Sequence, residues 1–129
     1  VLVLRHPLAV AASTRSKGRL SRFRSRRALV EHWLHCHDTF LRDQPSLQHL
    51  VVVRYEELVA APESGLDSLF STLGLPGIPA PEVLDQTSDR AAADRWLGRL
   101  GRAPRPSRLL QLEPRVLDWG YSLEGFGMT

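Results

Sequence analysis

The sequence has one cysteine, Cys36, one methionine, and no apolar run that approaches the roughly 20 residues needed to cross a bilayer. A single cysteine excludes a disulfide within the chain. Hydrophobic residues make up 43% and charged residues 24% of the 129 positions, which is typical of a globular protein. A chain of this length fits one domain and is long enough to bury a substantial core.

Acidic residues are absent from the first 30 positions, which hold eight arginine and lysine residues. The rest of the chain holds nine basic and 14 acidic residues, so the net charge of +3 conceals a strongly basic N-terminal block. Such a block indicates an anionic partner: a nucleotide, a sulfated glycan, a nucleic acid or a membrane surface. On charge alone, a solvated arginine-rich connection between helices is an equally good interpretation.

Two aliphatic runs, 1–4 and 50–53, have no polar alternation, which predicts strands buried on both faces, as in a parallel sheet. Periodicity and start and stop signals predict helices over 8–16, after Pro7, over 26–42, from Pro62 to Gly74, and over 107–119. The apolar stripe of the second helix consists of Leu29, Val30, Trp33, Leu34, His37, Phe40 and Leu41. Strands that alternate with helices predict an α/β fold. Since two strands are few for a sheet, we expect residues 1–129 to form the C-terminal portion of a larger single domain.

Arg5 follows the first predicted strand directly, and Ser13 lies eight residues further on. Ligands of open α/β sheets bind outside the carboxyl ends of the strands, and an arginine there offers a planar fork of donors to a phosphate. If a helix begins at Pro7, the Ser13 hydroxyl faces back toward Arg5. From spacing alone, however, the better interpretation is that Arg5 caps a sheet end and Ser13 is a small helix residue.

The segment VLVLRHPLAVAAS resembles the 3′-phosphate-binding segment of sulfotransferases that use 3′-phosphoadenylyl sulfate (PAPS) as the sulfuryl donor. That family has a hydrophobic strand, an arginine, a proline two residues later and a serine eight residues after the arginine, as at Arg5, Pro7 and Ser13. Residues 49–76 independently resemble the family's strand, Arg-Tyr-Glu-Asp-Leu turn and following helix, with Glu57 in place of the aspartate. The resemblance extends over about residues 1–123.

The resemblance implies a P-loop-like (P-loop NTPase-type) parallel sheet with flanking helices. It also implies that Arg5 and Ser13 bind the 3′-phosphate of PAPS, or of its product PAP, and that Tyr55 lies near the adenine. The alternative for Tyr55 is a buried tyrosine with a satisfied hydroxyl. Arg95, Arg99 and Arg102 lie where the family has a late basic loop, although its Arg-Lys-Gly pattern is not clear here.

The implied activity is transfer of a sulfuryl group from PAPS to an acceptor hydroxyl or amine, without a metal. In the family, the loop that binds the 5′-phosphosulfate precedes the arginine segment, and the catalytic base usually lies upstream as well. We therefore assign no catalytic residue and expect the chain alone to be inactive or poorly active. The acceptor class stays open, with a carbohydrate or another anionic molecule among the candidates. The compartment stays open too, cytoplasm or Golgi lumen, with membrane contact, if any, only through an N-terminal anchor.

Two other functions compete with this prediction. The run SKGRLSRFRSRR (16–27) is typical of a polyanion- or nucleic-acid-binding module, but only Phe23 interleaves it, so we expect no nucleic acid. A P-loop kinase relative would have the same sheet architecture. A helical face with His32, His35 and Cys36 has metal-ligand residue types. Because no second ligand pair follows, these are better interpreted as ordinary helix residues.

Overall fold

The computed structural model of the chain describes residues 1–17, 25–77 and 106–124. In chain order, its elements are β1 (Leu2–Leu4), α1 (Pro7–Lys17), α2 (Arg26–Asp43), a short 3-10 helix (Gln44–Ser46), β2 (Val52–Arg54), α3 (Tyr55–Ala60), α4 (Pro62–Leu73), α5 (Ser107–Leu110) and α6 (Glu113–Leu117). This helix-rich arrangement with a small parallel sheet is compatible with the predicted α/β class. The chain divides into a sheet unit (Val1–Arg5 with Leu47–Arg95) and a helical unit (His6–Ser46 with Trp96–Thr129).

In the sheet unit, β1 and β2 pair in parallel, as the sequence predicts, with Leu2 opposite Val52 and Leu4 opposite Arg54. The second strand begins two residues later than the aliphatic run and includes Arg54. The expectation that both strands are buried on both faces is wrong, because Val3 is 56% and Val52 is 49% exposed. The physical reason is that the sheet in the described ranges has two strands, so each strand has one partner.

The β2 strand leads directly into α3, where the sequence analysis placed a turn. Arg54 occupies the cap position in an extended conformation and its side chain makes no capping hydrogen bond, so the usual start signal is missing. Ala61 separates α3 from α4 because a residue before proline is disfavoured in the helical region. The next helix begins at Pro62 and ends at Gly74, as predicted. It approaches α3 closely at Gly65, where a Cβ would lie 3.0 Å from Leu58 Cδ1.

Gly74 ends α4 in the left-handed conformation, with φ of 65°. We expect Gly74→Ala to lower the free energy of unfolding by about 1 kcal/mol, because a Cβ disfavours this conformation. A Cβ at Gly74 meets nothing within 4 Å, so the loss of stability reports the backbone conformation and not a steric clash. Gly77 has the same open surroundings without a positive φ, which makes Gly77→Ala the matched control in urea unfolding. Equal losses in the two variants would contradict the prediction.

The core of the helical unit lies where α1 packs on α2 and where the C-terminal residues complete it. The stripe of α2 is buried at Leu29, Val30, Trp33 and Leu34, as predicted, whereas Leu41 is 49% exposed near the end of the helix. Among the described residues of this unit, the other buried apolar side chains are those of Pro7, Leu8, Ala11, Leu109, Leu112, Val116, Tyr121 and Leu123. None of the helices in the described ranges is long and apolar enough to traverse a membrane.

The single helix predicted over 107–119 is wrong: the structure has two short helices, α5 and α6. Pro114 lies in the first turn of α6 and has no N–H to donate to the carbonyl of Leu110, so one continuous helix cannot form. After α6, Gly120 adopts φ of 73° and turns the chain so that Tyr121 is 1% exposed. The Glu113 carboxylate accepts hydrogen bonds from the Ser122 hydroxyl and the Leu123 N–H, which fixes this turn.

Candidate functional site

Arg5 and Tyr55 lie at the carboxyl ends of the two strands. Because Leu4 pairs with Arg54 in the parallel register, the next residue of each strand emerges at the same edge of the sheet. The Arg5 guanidinium carbon lies 4.5 Å from the centroid of the Tyr55 ring. Both residues are half-buried and both belong to the sheet unit. Two residues separated by most of the first half of the chain are thus in direct contact.

The contact is a cation–π interaction, which attracts a guanidinium to the negative face of an aromatic ring. A guanidinium binds a phosphate through its N–H edge. The Tyr55 ring lies beside this cationic group and helps to orient it. Chemically, the pair offers a planar cationic fork beside an aromatic ring, which suits a ligand that combines a phosphate with a base.

Ser13 lies on α1, in the helical unit, where its side chain is half-buried. Arg5 belongs to the other unit. That the Ser13 hydroxyl and the Arg5 guanidinium act on one phosphate therefore stays a prediction.

His6 has a structural role that the sequence analysis did not assign. Its Nδ1 accepts a hydrogen bond from the Leu8 N–H at 3.2 Å, and its carbonyl accepts the first bond of α1, from Val10. Since Nδ1 is an acceptor, Nε2 carries the proton and donates to the Ser122 carbonyl at 3.0 Å. His6 is thus the N-cap of α1, directly after Arg5. Pro7 was the available signal, because the residue before a proline at the first helical position is the cap.

A groove in the sheet unit has a volume of about 380 Å³ and is lined by residues of β2, α3 and α4. Its lining is mostly aliphatic and hydroxyl-bearing, with Arg54 and Glu57 as the charged members. Neither Arg5 nor Tyr55 contributes to it. The groove is therefore separate from the contact that carries the cation and the aromatic ring.

In the described part of the chain, no three histidine, cysteine or acidic side chains are placed to hold a metal ion. Cys36 Sγ lies 3.8 Å from His32 Nε2 on the exposed side of α2. Arg95, Arg99, Arg102 and most of the basic run fall outside the described residues.

The sequence analysis predicted that three residues bind a nucleotide. The structure brings two of them, Arg5 and Tyr55, into contact. The sequence analysis did not identify His6, which is the N-cap of the helix that carries Ser13. Comparisons with protein-family models, with curated proteins and with solved structures found no match to this chain.

Proposed function

We propose that this chain supplies the 3′-phosphate and adenine side of the PAPS site of a sulfotransferase with a P-loop-like α/β fold. The observation that supports the proposal most is the cation–π contact between the Arg5 guanidinium and the Tyr55 ring at the carboxyl ends of two parallel strands. This edge is where open α/β sheets bind their ligands. The resemblance of residues 1–13 and 49–76 to the family gives the contact its specific interpretation.

In this proposal, three residues bind the nucleotide, each through a different chemical group. The N–H edge of Arg5 binds the 3′-phosphate in a bidentate manner, which is the geometry a guanidinium favours. The Tyr55 ring holds Arg5 on one face and contacts the adenine with the rest of its surface. The Ser13 hydroxyl donates a further hydrogen bond to the same phosphate.

The reaction that follows from this site is transfer of a sulfuryl group. The bond between sulfur and the 5′-phosphate oxygen of PAPS breaks, a bond between sulfur and the acceptor oxygen or nitrogen forms, and PAP leaves. The acceptor proton passes to a general base. We assign neither that base nor the donors on the sulfuryl group to residues of this chain, so the proposal concerns nucleotide binding.

The proposal predicts that Arg5→Ala removes the contribution of the 3′-phosphate to binding. We expect PAP to bind more tightly than 5′-AMP, and Arg5→Ala to weaken PAP by about 1.5–3 kcal/mol, the range for a hydrogen bond to a charged group. Binding of 5′-AMP, which has no 3′-phosphate, should not change. Calorimetric titration of the folded 129-residue chain, checked by circular dichroism, measures each affinity.

Two variants make the test sharper. Arg5→Lys keeps the charge but removes the planar fork, and it should restore only part of the PAP affinity. Arg42→Ala removes one exposed arginine near the end of α2, and PAP affinity should be unchanged. An equal loss for PAP and 5′-AMP in Arg5→Ala, or no binding of PAP to the wild-type chain, would contradict the proposal.

The same titration separates the two competing functions. A kinase relative would bind ADP as well as PAP. A polyanion-binding module would ignore the 3′-phosphate, and its affinity for a polyanion would fall steeply with salt. A preference for PAP over ADP that depends on Arg5 is expected only from the sulfotransferase proposal.

A further inference from the structure

The helical unit contains a cavity of about 520 Å³ with a strongly basic lining. Its walls come from α1, from the start of α2 and from the start of α5. Within the described ranges, the lining residues are Arg15, Ser25, Arg26, Arg27, Pro106, Arg108 and Leu109. Four of these seven residues are arginines and none is acidic.

Arg27 holds two walls of the cavity together. Its Nη1 donates to the Arg108 carbonyl at 2.7 Å and to Gln111 Oε1 at 2.9 Å, which ties α2 to α5. Its Nε pairs with Glu31 at 2.7 Å, one turn along α2. The charge of Arg27 is therefore compensated within the protein, and this residue acts as the scaffold of the site.

Arg15 and Arg108 differ from Arg27. Both are exposed, and within the described ranges neither forms an ion pair with a carboxylate. By contrast, Arg115, on α6, pairs with Asp38. Like charges around one cavity repel one another, and an anion in the cavity replaces that repulsion by attraction.

We propose that this cavity binds an anionic ligand that carries two or more phosphate or sulfate groups. Guanidinium forks match the geometry of these oxyanions, and the volume is within the range of about 300–1,000 Å³ found for small-molecule sites. None of the lining residues is Arg5, Ser13 or Tyr55. Arg15 and Ser13 are two positions apart on α1, and such residues do not share a helix face. The proposal therefore does not rest on the proposed nucleotide site.

The test is calorimetric titration of the full chain at physiological ionic strength with two probes, inorganic pyrophosphate and a trisulfated heparin disaccharide. We expect at least one probe to bind, and Arg15→Ala/Arg108→Ala to weaken it by about tenfold or more. Binding of pyrophosphate, of the disaccharide or of both shows which of these oxyanions the cavity accepts. Both substituted side chains are exposed, so the fold should be retained, which circular dichroism checks.

Arg42→Ala/Arg115→Ala is the matched control, because it removes the same charge from exposed positions that do not line the cavity. We expect it to change probe affinity by less than about twofold, since exposed arginines away from a ligand contribute little. Equal weakening in the two double variants would mean that net charge alone acts, and would overturn the proposal. Failure of both probes to bind the wild-type chain would overturn it as well.

Two further titrations separate this proposal from the nucleotide proposal. Arg5→Ala should still bind the probe, and Arg15→Ala/Arg108→Ala should keep the tighter binding of PAP over 5′-AMP that Arg5 provides. If the probe is lost in Arg5→Ala and retained in the Arg15→Ala/Arg108→Ala variant, the probe occupies the Arg5 site and the cavity proposal is wrong. Because PAP carries two phosphates, its loss of affinity on Arg5→Ala is also measured in the Arg15→Ala/Arg108→Ala background, where it tests the nucleotide proposal alone.

Discussion

Replacing Trp33 by alanine is expected to lower the free energy of unfolding of the helical unit by about 3–5 kcal/mol, the range for removing a buried aromatic side chain. Trp33 is 5% exposed, and its ring stacks on His37 with centroids 3.8 Å apart. The rings of Trp119 and Tyr121 meet it edge-on at 6.1 and 6.2 Å. Alanine leaves a cavity and removes all three ring contacts. Each of these contacts stabilises the fold beyond the burial of apolar surface area.

Urea unfolding followed by far-ultraviolet circular dichroism measures this loss. Trp33→Phe keeps a ring in the cluster. Its loss in free energy of unfolding should therefore be less than half of the loss in Trp33→Ala. Leu41→Ala is the control on the same helix, because Leu41 is 49% exposed. Alanine has the highest helix propensity, so neither alanine variant weakens α2 through its backbone. Equal and small losses for Trp33→Ala and Leu41→Ala would show that the aromatic cluster does not stabilise the unit.

We expect His6→Ala to lower the free energy of unfolding by about 3 kcal/mol, because it leaves a buried N–H and a partly buried carbonyl without partners, at about 1–3 kcal/mol each. His6 is 2% exposed, and its ring accepts a hydrogen bond from the Leu8 N–H and donates one to the Ser122 carbonyl. Its ring also meets that of Tyr121 edge-on, with centroids 5.4 Å apart. The substitution thus removes the cap of α1 and the bond to the C-terminal segment together.

Asparagine separates the two contributions, since its side-chain oxygen can accept from the Leu8 N–H as a common N-cap residue does. His6→Asn should therefore recover about 1 kcal/mol of the loss, the usual contribution of a cap. His35→Ala, at an exposed position of α2, controls for loss of an imidazole. The same urea titration applies. A His6→Asn variant as unstable as His6→Ala would mean that the cap contributes little and the bond to Ser122 dominates.

The elements with strong local signals were predictable. Pro7 and Pro62 begin helices because proline fits the first turn, and Gly74 ends one because it accepts the left-handed conformation. Periodicity located α2 within a residue of each end. Local signals failed where they were weak or in conflict: α3 has no side-chain cap, and Pro114 divides a segment whose apolar pattern is continuous.

The candidate site was predictable only in part, for a different physical reason. Arg5 and Tyr55 each follow an aliphatic run, and parallel pairing of the two runs is enough to bring them together. The arginine-lined cavity depends on the contact between the start of α2 and α5, through Arg27 and Gln111. Residues 81 and 84 positions apart meet there, and no periodicity encodes such a contact.

The parallel register also determines the order of events during synthesis. β1 leaves the ribosome before β2. Leu2 can pair with Val52, its partner 50 residues later, only after that residue has been synthesised. At typical translation rates of 5–20 residues per second, this interval is about 2.5–10 s. During it, β1, whose Val3 is 56% exposed in the folded chain, lacks its β2 partner, while α1 and α2 emerge and can begin to pack on each other. Throughout this interval, β1 is open to pairing with a strand other than β2.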